Sequence, residues 1–249
     1  MRIGPKPTLT GIFYAFGVVG QYQAKLAEKG EIEFATGTQH YLDKYIKLKD
    51  SNPDVEVDAN QLVNWLMLNV LAGGDTTSAV MRAVVYYLAK APEAYEKLSQ
   101  ELATARLSMP AQWKDIKNLT YLDAVLREAT RFNPGISMVF ERIVPEGGFS
   151  LPDGRFIPAG TKVGINPAVI SRDYEVFGAD ADSFNPDRWL TKDESSLRRM
   201  RDTADFTFGA GSRVCMGRYF AQLELYKLFA TLYSMYNVGS SAIEMLTRQ

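Results

Sequence analysis

From Asp58 to Lys90 apolar residues recur at helical spacing, which predicts one continuous helix over more than thirty positions. At about 1.5 Å per residue it would run for roughly 50 Å, longer than a small domain is wide. Near its middle stands A-G-G-D-T-T, Ala72 to Thr77. Two adjacent glycines inside a helix cost roughly 1 kcal/mol each relative to alanine, so the pair needs a reason. It could let a second helix cross closely, or open a groove for something that is not protein. Thr76 could also bond the carbonyl four residues back and bend the helix.

The rest of the chain groups around that helix. Residues 20–29 and 32–50 read as two helices parted by Gly30, the second ended by S-N-P-D. Pro92 sits where a new helix starts, and residues 91–105 place Tyr95, Leu98 and Leu102 opposite their charges. A further helix is expected from Leu119 to Arg131, stopped by F-N-P. Between residues 136 and 170 short β-prone runs alternate with P-E-G-G, L-P-D-G and I-P-A-G, which predicts a small antiparallel sheet of hairpins. Residues 171–207 read as polar and irregular, a length of loop that usually carries function. A closing helix is expected over residues 216–236, and the tail after Val238 has no clear period. The fold class is mainly α with a small antiparallel β region, in one domain spanning residues 1–249.

Composition narrows the function. The chain is 46% hydrophobic and 23% charged with a net charge of −1, which describes a globular protein and gives no electrostatic basis for gripping nucleic acid. The apolar stretch Gly11 to Gly20 is shorter than the roughly 20 residues of a spanning helix, and no signal-peptide cleavage pattern follows it. The chain therefore reads as soluble and intracellular. Its single cysteine rules out an internal disulfide and leaves one free thiol.

That thiol lies in D-F-T-F-G-A-G-S-R-V-C-M-G-R-Y-F-A, residues 205–221. Alone, a cysteine is most often a small buried hydrophobe. A dinucleotide loop is excluded because Val214 stands where the third glycine belongs and no strand precedes the run. Phe208, Gly209, Gly211, Arg213, Cys215, Gly217 and Ala221 together resemble the haem-ligand loop of the cytochrome P450 family. The physics agrees: a thiolate ligand needs a lowered pKa, which a helix start supplies through free N–H groups and partial positive charge. Gly211 and Gly217 would let the backbone pass a flat macrocycle closely. The resemblance implies haem b held by Cys215 as axial iron ligand, Arg213 paired with a propionate, and Phe208 shielding the sulfur.

Three other segments are similar to the family's patterns. Asp75 and Thr76 would be the catalytic pair that relays protons to bound dioxygen. Glu128 and Arg131 share a helical face, and with Arg188 of F-N-P-D-R-W they would form a buried structural triad rather than an ordinary exposed pair. Arg142 would reach a propionate. Ile136, Ser137, Met138 and Val139, with Leu68 and Leu71, would border the substrate cavity, although each is more often plain core. His40, the only histidine, stands in a polar helix and reads as a surface residue. Arg198, Arg199 and Arg201 form a basic run that could be a solvated face or the dock for an acidic electron donor.

The resemblance covers the carboxyl-terminal half of the family fold, closest in style to fungal, pisatin-demethylase-like members. It implies a monooxygenase, in truncated form, acting on a small hydrophobic organic substrate with dioxygen. Electrons would come from NADPH through a separate flavoprotein reductase, since no nicotinamide or flavin motif occurs here. A full-length parent would be expected at the endoplasmic reticulum membrane. Two alternatives stay open: a catalytically silent product that binds haem weakly or not at all, and a haem-thiolate enzyme that uses peroxide.

Overall fold

The computed structural model describes residues 59–238, together with positions 17, 20, 21, 24, 28, 44, 45, 48 and 51. The helices expected over 20–29 and 32–50 fall outside the described residues apart from those positions, and so do His40 and residues 239–249. The long helix α1 spans Ala59–Lys90. The chain divides into two compact units after Gly74. In the first, Leu62, Val63 and Met67 are buried, and the Tyr45 ring lies 5.1 Å from that of Trp65. Among the described residues, no helix is long and apolar enough to cross a membrane.

The second unit is built on helices that start and stop where local chemistry says they must. Helix α2, Pro92–Ala105, opens with proline, whose missing N–H is no loss at a first turn. It ends as Arg106 turns left-handed, with φ 48° and ψ 51°. Its buried residues Ala94, Leu98 and Leu102 recur every fourth position and so form one stripe. A single turn, α3 (Trp113–Ile116), leads to α4, Thr120–Phe132. Leu119 at the start of α4 offers no capping side chain, and Glu101 of α2 supplies one instead. Its carboxylate accepts from the N–H groups of Tyr121 and Leu122 at 2.8 and 2.9 Å. The last long helix, α8, covers Arg218–Met235, two residues shorter at its start and one at its end than expected. Its buried Leu225, Phe229, Ala230 and Tyr233 join Val84, Leu88, Leu98, Leu122 and Val125 in the main core.

The β region is nested. Strand β1, Phe140–Ile143, pairs antiparallel with β4, Lys162–Ile165, in the register Phe140 opposite Ile165. Inside the connection, β2 (Phe149–Ser150) pairs with β3 (Phe156–Ile157). The sheet expected from the turn signals is therefore two separate two-stranded ladders.

Residues 171–207 are not the irregular stretch that their polarity suggests. A turn of helix, α5 (Pro167–Ile170), leads to α6 (Tyr174–Phe177), a 3₁₀ turn (Pro186–Leu190) and the twelve-residue helix α7, Glu194–Asp205. Each begins on an Asn or Asp whose side chain accepts a backbone N–H: Asn166, Asp173, Asn185 and Asp193. Leu197, Met200 and Ala204 of α7 are buried with Phe177, Ala181 and Trp189 in a second small core. The basic run Arg198, Arg199 and Arg201 thus lies on a helix, where Arg198 faces Asp202 at 3.8 Å and Arg199 faces Glu175 at 3.8 Å.

Candidate functional site

Cys215 is free and exposed, three residues ahead of α8. Two 3₁₀ turns, Phe206–Phe208 and Gly211–Arg213, fold the chain back so that the Cys215 amide donates to the Phe208 carbonyl at 2.7 Å. Gly209 makes that reversal possible with φ 73° and ψ −171°, a conformation nearly reserved for glycine. A Cβ on Gly217 would stand 3.8 Å from the Cys215 sulfur.

Around the thiol the surface is apolar. Val214, Met216, Tyr219 and Phe220 are 43%, 90%, 77% and 50% exposed, whereas the buried side chains of α8 begin at Leu225. An exposed apolar cluster of this kind calls for a covering group. Among the described residues no group of three or more His, Cys, Asp or Glu could enclose a metal ion. An ion bound here would meet one protein sulfur and would bring its remaining ligands with it. A flat apolar macrocycle carrying iron fits that donor set and that surface.

The other expected site residues fall into distinct settings. Arg213 and Arg142 are exposed; the Arg142 guanidinium donates to the Glu141 carbonyl at 2.8 Å. Met138 and Val139 are 72% and 47% exposed, Ser137 is exposed and Ile136 is half-buried. Leu68 and Leu71, in the unit ending at Gly74, are exposed. Asp75 is exposed and Thr76 half-buried on α1. A Cβ on Gly73 or Gly74 would meet no atom of the described residues within 4 Å, so no helix among the described residues crosses closely at the pair. One contact that the sequence did not signal is Gly135, where a Cβ would lie 3.0 Å from the Thr76 carbonyl oxygen and 3.1 Å from its Cβ. The segment after α4 therefore lies directly on Thr76.

Glu128, Arg131 and Arg188 come together in the second core. Glu128 and Arg131 have no exposed side-chain surface, and Arg188 has 5%. Arg131 donates Nε and Nη2 to the two Glu128 oxygens at 2.8 and 2.7 Å, a bidentate fork. Arg188 Nε adds 3.1 Å, the Asn185 amide 2.8 Å and the Trp189 indole N–H 2.9 Å. The spare donors of Arg131 reach the carbonyls of Ser171, Ala181 and Ser183, and Arg188 also grips Asp180. Buried charges persist only when satisfied in this way. Asn185 and Trp189 were not picked out in the sequence because their partner Glu128 lies more than fifty residues away, and Asp180 joins the cluster only through Arg188. The 3₁₀ cap N-P-D-R-W is the local pattern that brings Asn185 and Trp189 to it.

Comparison with known proteins places the chain. A family model, Cytochrome P450, matches residues 2–244. The chain is 39% identical over 242 residues to the cytochrome P450 monooxygenase cfoH of Aspergillus candidus, covering 94% of this chain and 44% of that one. It is 36% identical over 236 residues to a cytochrome P450 monooxygenase of Aspergillus terreus, covering 90% and 47%. The monooxygenase mfmA of Annulohypoxylon moriforme is 36% identical over 241 residues, covering 95% and 46%. The chain belongs to the cytochrome P450 family, whose members are haem enzymes. It spans a little under half the length of the curated relatives it matches.

Proposed function

We propose that this chain carries the thiolate-ligand portion of a haem-thiolate monooxygenase, which places one oxygen atom from dioxygen into a small hydrophobic organic molecule. The observation that supports it most is the free, exposed Cys215 in a tight glycine turn, flanked in sequence by the exposed apolar residues Val214, Met216, Tyr219 and Phe220. Bound there, haem would supply the redox chemistry that activates dioxygen. The chain's own residues do the rest. Cys215 holds the metal through Sγ, with Gly209, Gly211 and Gly217 keeping the approach clear. Phe208 shields the sulfur from water. Arg213 and Arg142 bind the carboxylates of the cofactor. Thr76 Oγ1 and the Asp75 carboxylate would hold and pass protons. Met138, Val139, Ile136 and Ser137 would contribute to the substrate boundary. The Glu128, Arg131 and Arg188 cluster fixes the segment that carries α7 and the cysteine loop. NADPH electrons enter through a separate flavoprotein reductase, with Arg198, Arg199 and Arg201 on its docking side.

The test is spectroscopic. The chain is produced with haem supply, reduced and exposed to carbon monoxide, beside Cys215→Ser. A strongly red-shifted Soret band in the parent that is lost in the variant supports the reading. A band unaffected by the substitution overturns it. No haem uptake by the parent favours a silent product, a reading supported by the exposed apolar residues beside Cys215. With haem bound, turnover driven by NADPH and reductase against turnover driven by peroxide separates monooxygenase from peroxide-using enzyme.

A further inference from the structure

Behind the cysteine loop, five side chains that the proposed chemistry does not use close a ring across three helices. Asp123 and Arg127 lie four apart on α4, and Arg127 Nε donates to both Asp123 oxygens at 3.0 and 2.8 Å. Tyr226 of α8 donates its hydroxyl to the same carboxylate. Arg127 reaches on to Asp205, the last residue of α7, at 3.6 Å. Arg218, the first residue of α8, donates Nη2 to Asp205 and completes the circuit. Tyr226 and Arg218 stand about two turns apart on α8, so the ring starts and ends on one helix.

Arg218 also touches the cysteine loop at both ends. Its guanidinium carbon stands 5.4 Å from the centre of the Phe208 ring, and its backbone N–H donates to the Cys215 carbonyl at 3.4 Å. Phe208 in turn accepts the Cys215 amide at 2.7 Å. The ion pairs are a quarter to a third exposed, at 25%, 28% and 30%, so each alone contributes little. Joined in a ring they restrict one another, and what they restrict is the guanidinium that lies over Phe208. A cation on an aromatic face holds the ring as well as being held by it.

We infer that Arg218 and Asp205 form a latch that fixes the Phe208 ring against the Cys215 turn, which makes Arg218 a positioning residue for the thiolate ligand. The inference rests on the reading of Cys215 as that ligand. The latch has two separable effects. It holds the loop geometry, which needs the pair. It also sets one positive charge three residues beyond the sulfur with Asp205 as its counter-charge, which biases the electron density of whatever the sulfur ligates.

The test uses the full chain with four changes: Arg218→Gln, Asp205→Asn, Arg218→Lys and the exchanged pair Arg218→Asp with Asp205→Arg. Amide hydrogen exchange over residues 206–217 is read with and without haem supply. Both neutral variants are expected to exchange at least about tenfold faster there than the parent, with Arg218→Lys intermediate and the exchanged pair returning most of the protection. Unchanged exchange in the neutral variants overturns the latch, and so does a folded exchanged pair that stays unprotected. In the haem-loaded protein Arg218→Gln should lower the reduction potential and Asp205→Asn raise it, a split that general loosening does not produce. Shifts in the same direction overturn the electrostatic part. A Soret band indifferent to Cys215→Ser would instead remove the ligand reading, whatever the exchange data say of the latch.

Discussion

Trp189 donates its indole N–H to the fully buried Glu128 carboxylate at 2.9 Å, so a residue that looks like packing is part of a charge network. Trp189→Phe keeps most of the ring and removes the donor, while Arg131 Nε still serves the same oxygen. The expected loss is about 1–2 kcal/mol, the usual cost of one buried hydrogen bond. Glu128→Gln should cost more, about 3–5 kcal/mol, because the Arg131 guanidinium stays buried without its counter-charge, while Arg188 keeps Asp180. Urea unfolding of both variants checks the ranking. Equal losses would mean that the indole, not the ion pairing, sets the stability of this core.

The turn before the cysteine gives a cleaner case. At Gly209 a Cβ would meet only the Arg213 carbonyl at 3.5 Å, an ordinary contact, so space is not the obstacle. The backbone angles are, and Gly209→Ala should destabilise by about 1–3 kcal/mol. Denaturation midpoints measure it, and weaker protection of the Cys215 amide in the same variant would show the strain arising in this turn.

Asp193 makes a pH-dependent helix start. The Ser196 and Ser195 hydroxyls, followed by their backbone N–H groups, hold its carboxyl down to about 2. An unfolded aspartate titrates near 3.9, roughly. A depressed value means that the capping contribution is fully present above the unfolded value and is lost as pH falls through the folded one. The first turn of α7 should therefore lose amide protection between about pH 4 and pH 2, whereas Asp193→Asn should abolish that step. Hydrogen exchange at the Ser195 and Ser196 amides, compared between the two proteins across this range, decides it.

What the sequence made legible was local or periodic. The long helix, the proline start of α2 and the closing helix rest on spacing and caps, and they appear within two residues of their expected bounds. The run 171–207 was misread because its polarity hid three elements, and with α5 just ahead of it there are four, three of them a single turn or little more. Yet each carries its own start signal: N-P-A-V-I, D-Y-E-V-F, N-P-D-R-W and D-E-S-S-L all open on Asn or Asp, followed by Pro or by Glu within two positions. At the site, the glycine and cysteine spacing was readable because the chemistry is local. The partnerships of Asp205 with Arg218, of Trp189 with Glu128 and of Gly135 with Thr76 were not, because each joins segments that only the folded chain brings together.

Gly73 and Gly74 carry a prediction of opposite sign from Gly209. Each lies in α1, and a Cβ there would meet no atom of the described residues within 4 Å, so alanine clashes with none of them and gains helix propensity. Gly73→Ala should stabilise the helix by about 0.5–1 kcal/mol. Under the proposed function the same change adds a methyl group three residues before Thr76 on the helix and should depress oxygen-dependent turnover. A thermal scan and a turnover assay on one variant test the pair of outcomes. A stability gain with unaltered turnover would leave the glycines without a chemical reason.

Gly135 offers the sharpest test of whether Thr76 matters by its position. The residue follows Pro134 directly after α4, and an added Cβ would come within 3.0 Å of the Thr76 carbonyl oxygen and 3.3 Å of its Cα. Both neighbours are backbone atoms of a helix, which cannot rotate away as a side-chain tip would, so α1 or the Gly135 segment must shift by a few tenths of an ångström. Overpacking of this kind costs about 1–3 kcal/mol. Gly135→Ala is therefore expected to lower the unfolding midpoint and to speed amide exchange around Thr76 while leaving the Cys215 turn as protected as before. If Thr76 also passes protons, the variant should release more peroxide per NADPH consumed in the haem-loaded protein, and Thr76→Ala should do the same. Peroxide leakage in Thr76→Ala but not in Gly135→Ala would show that the hydroxyl tolerates displacement; leakage in neither would remove Thr76 from the proton path.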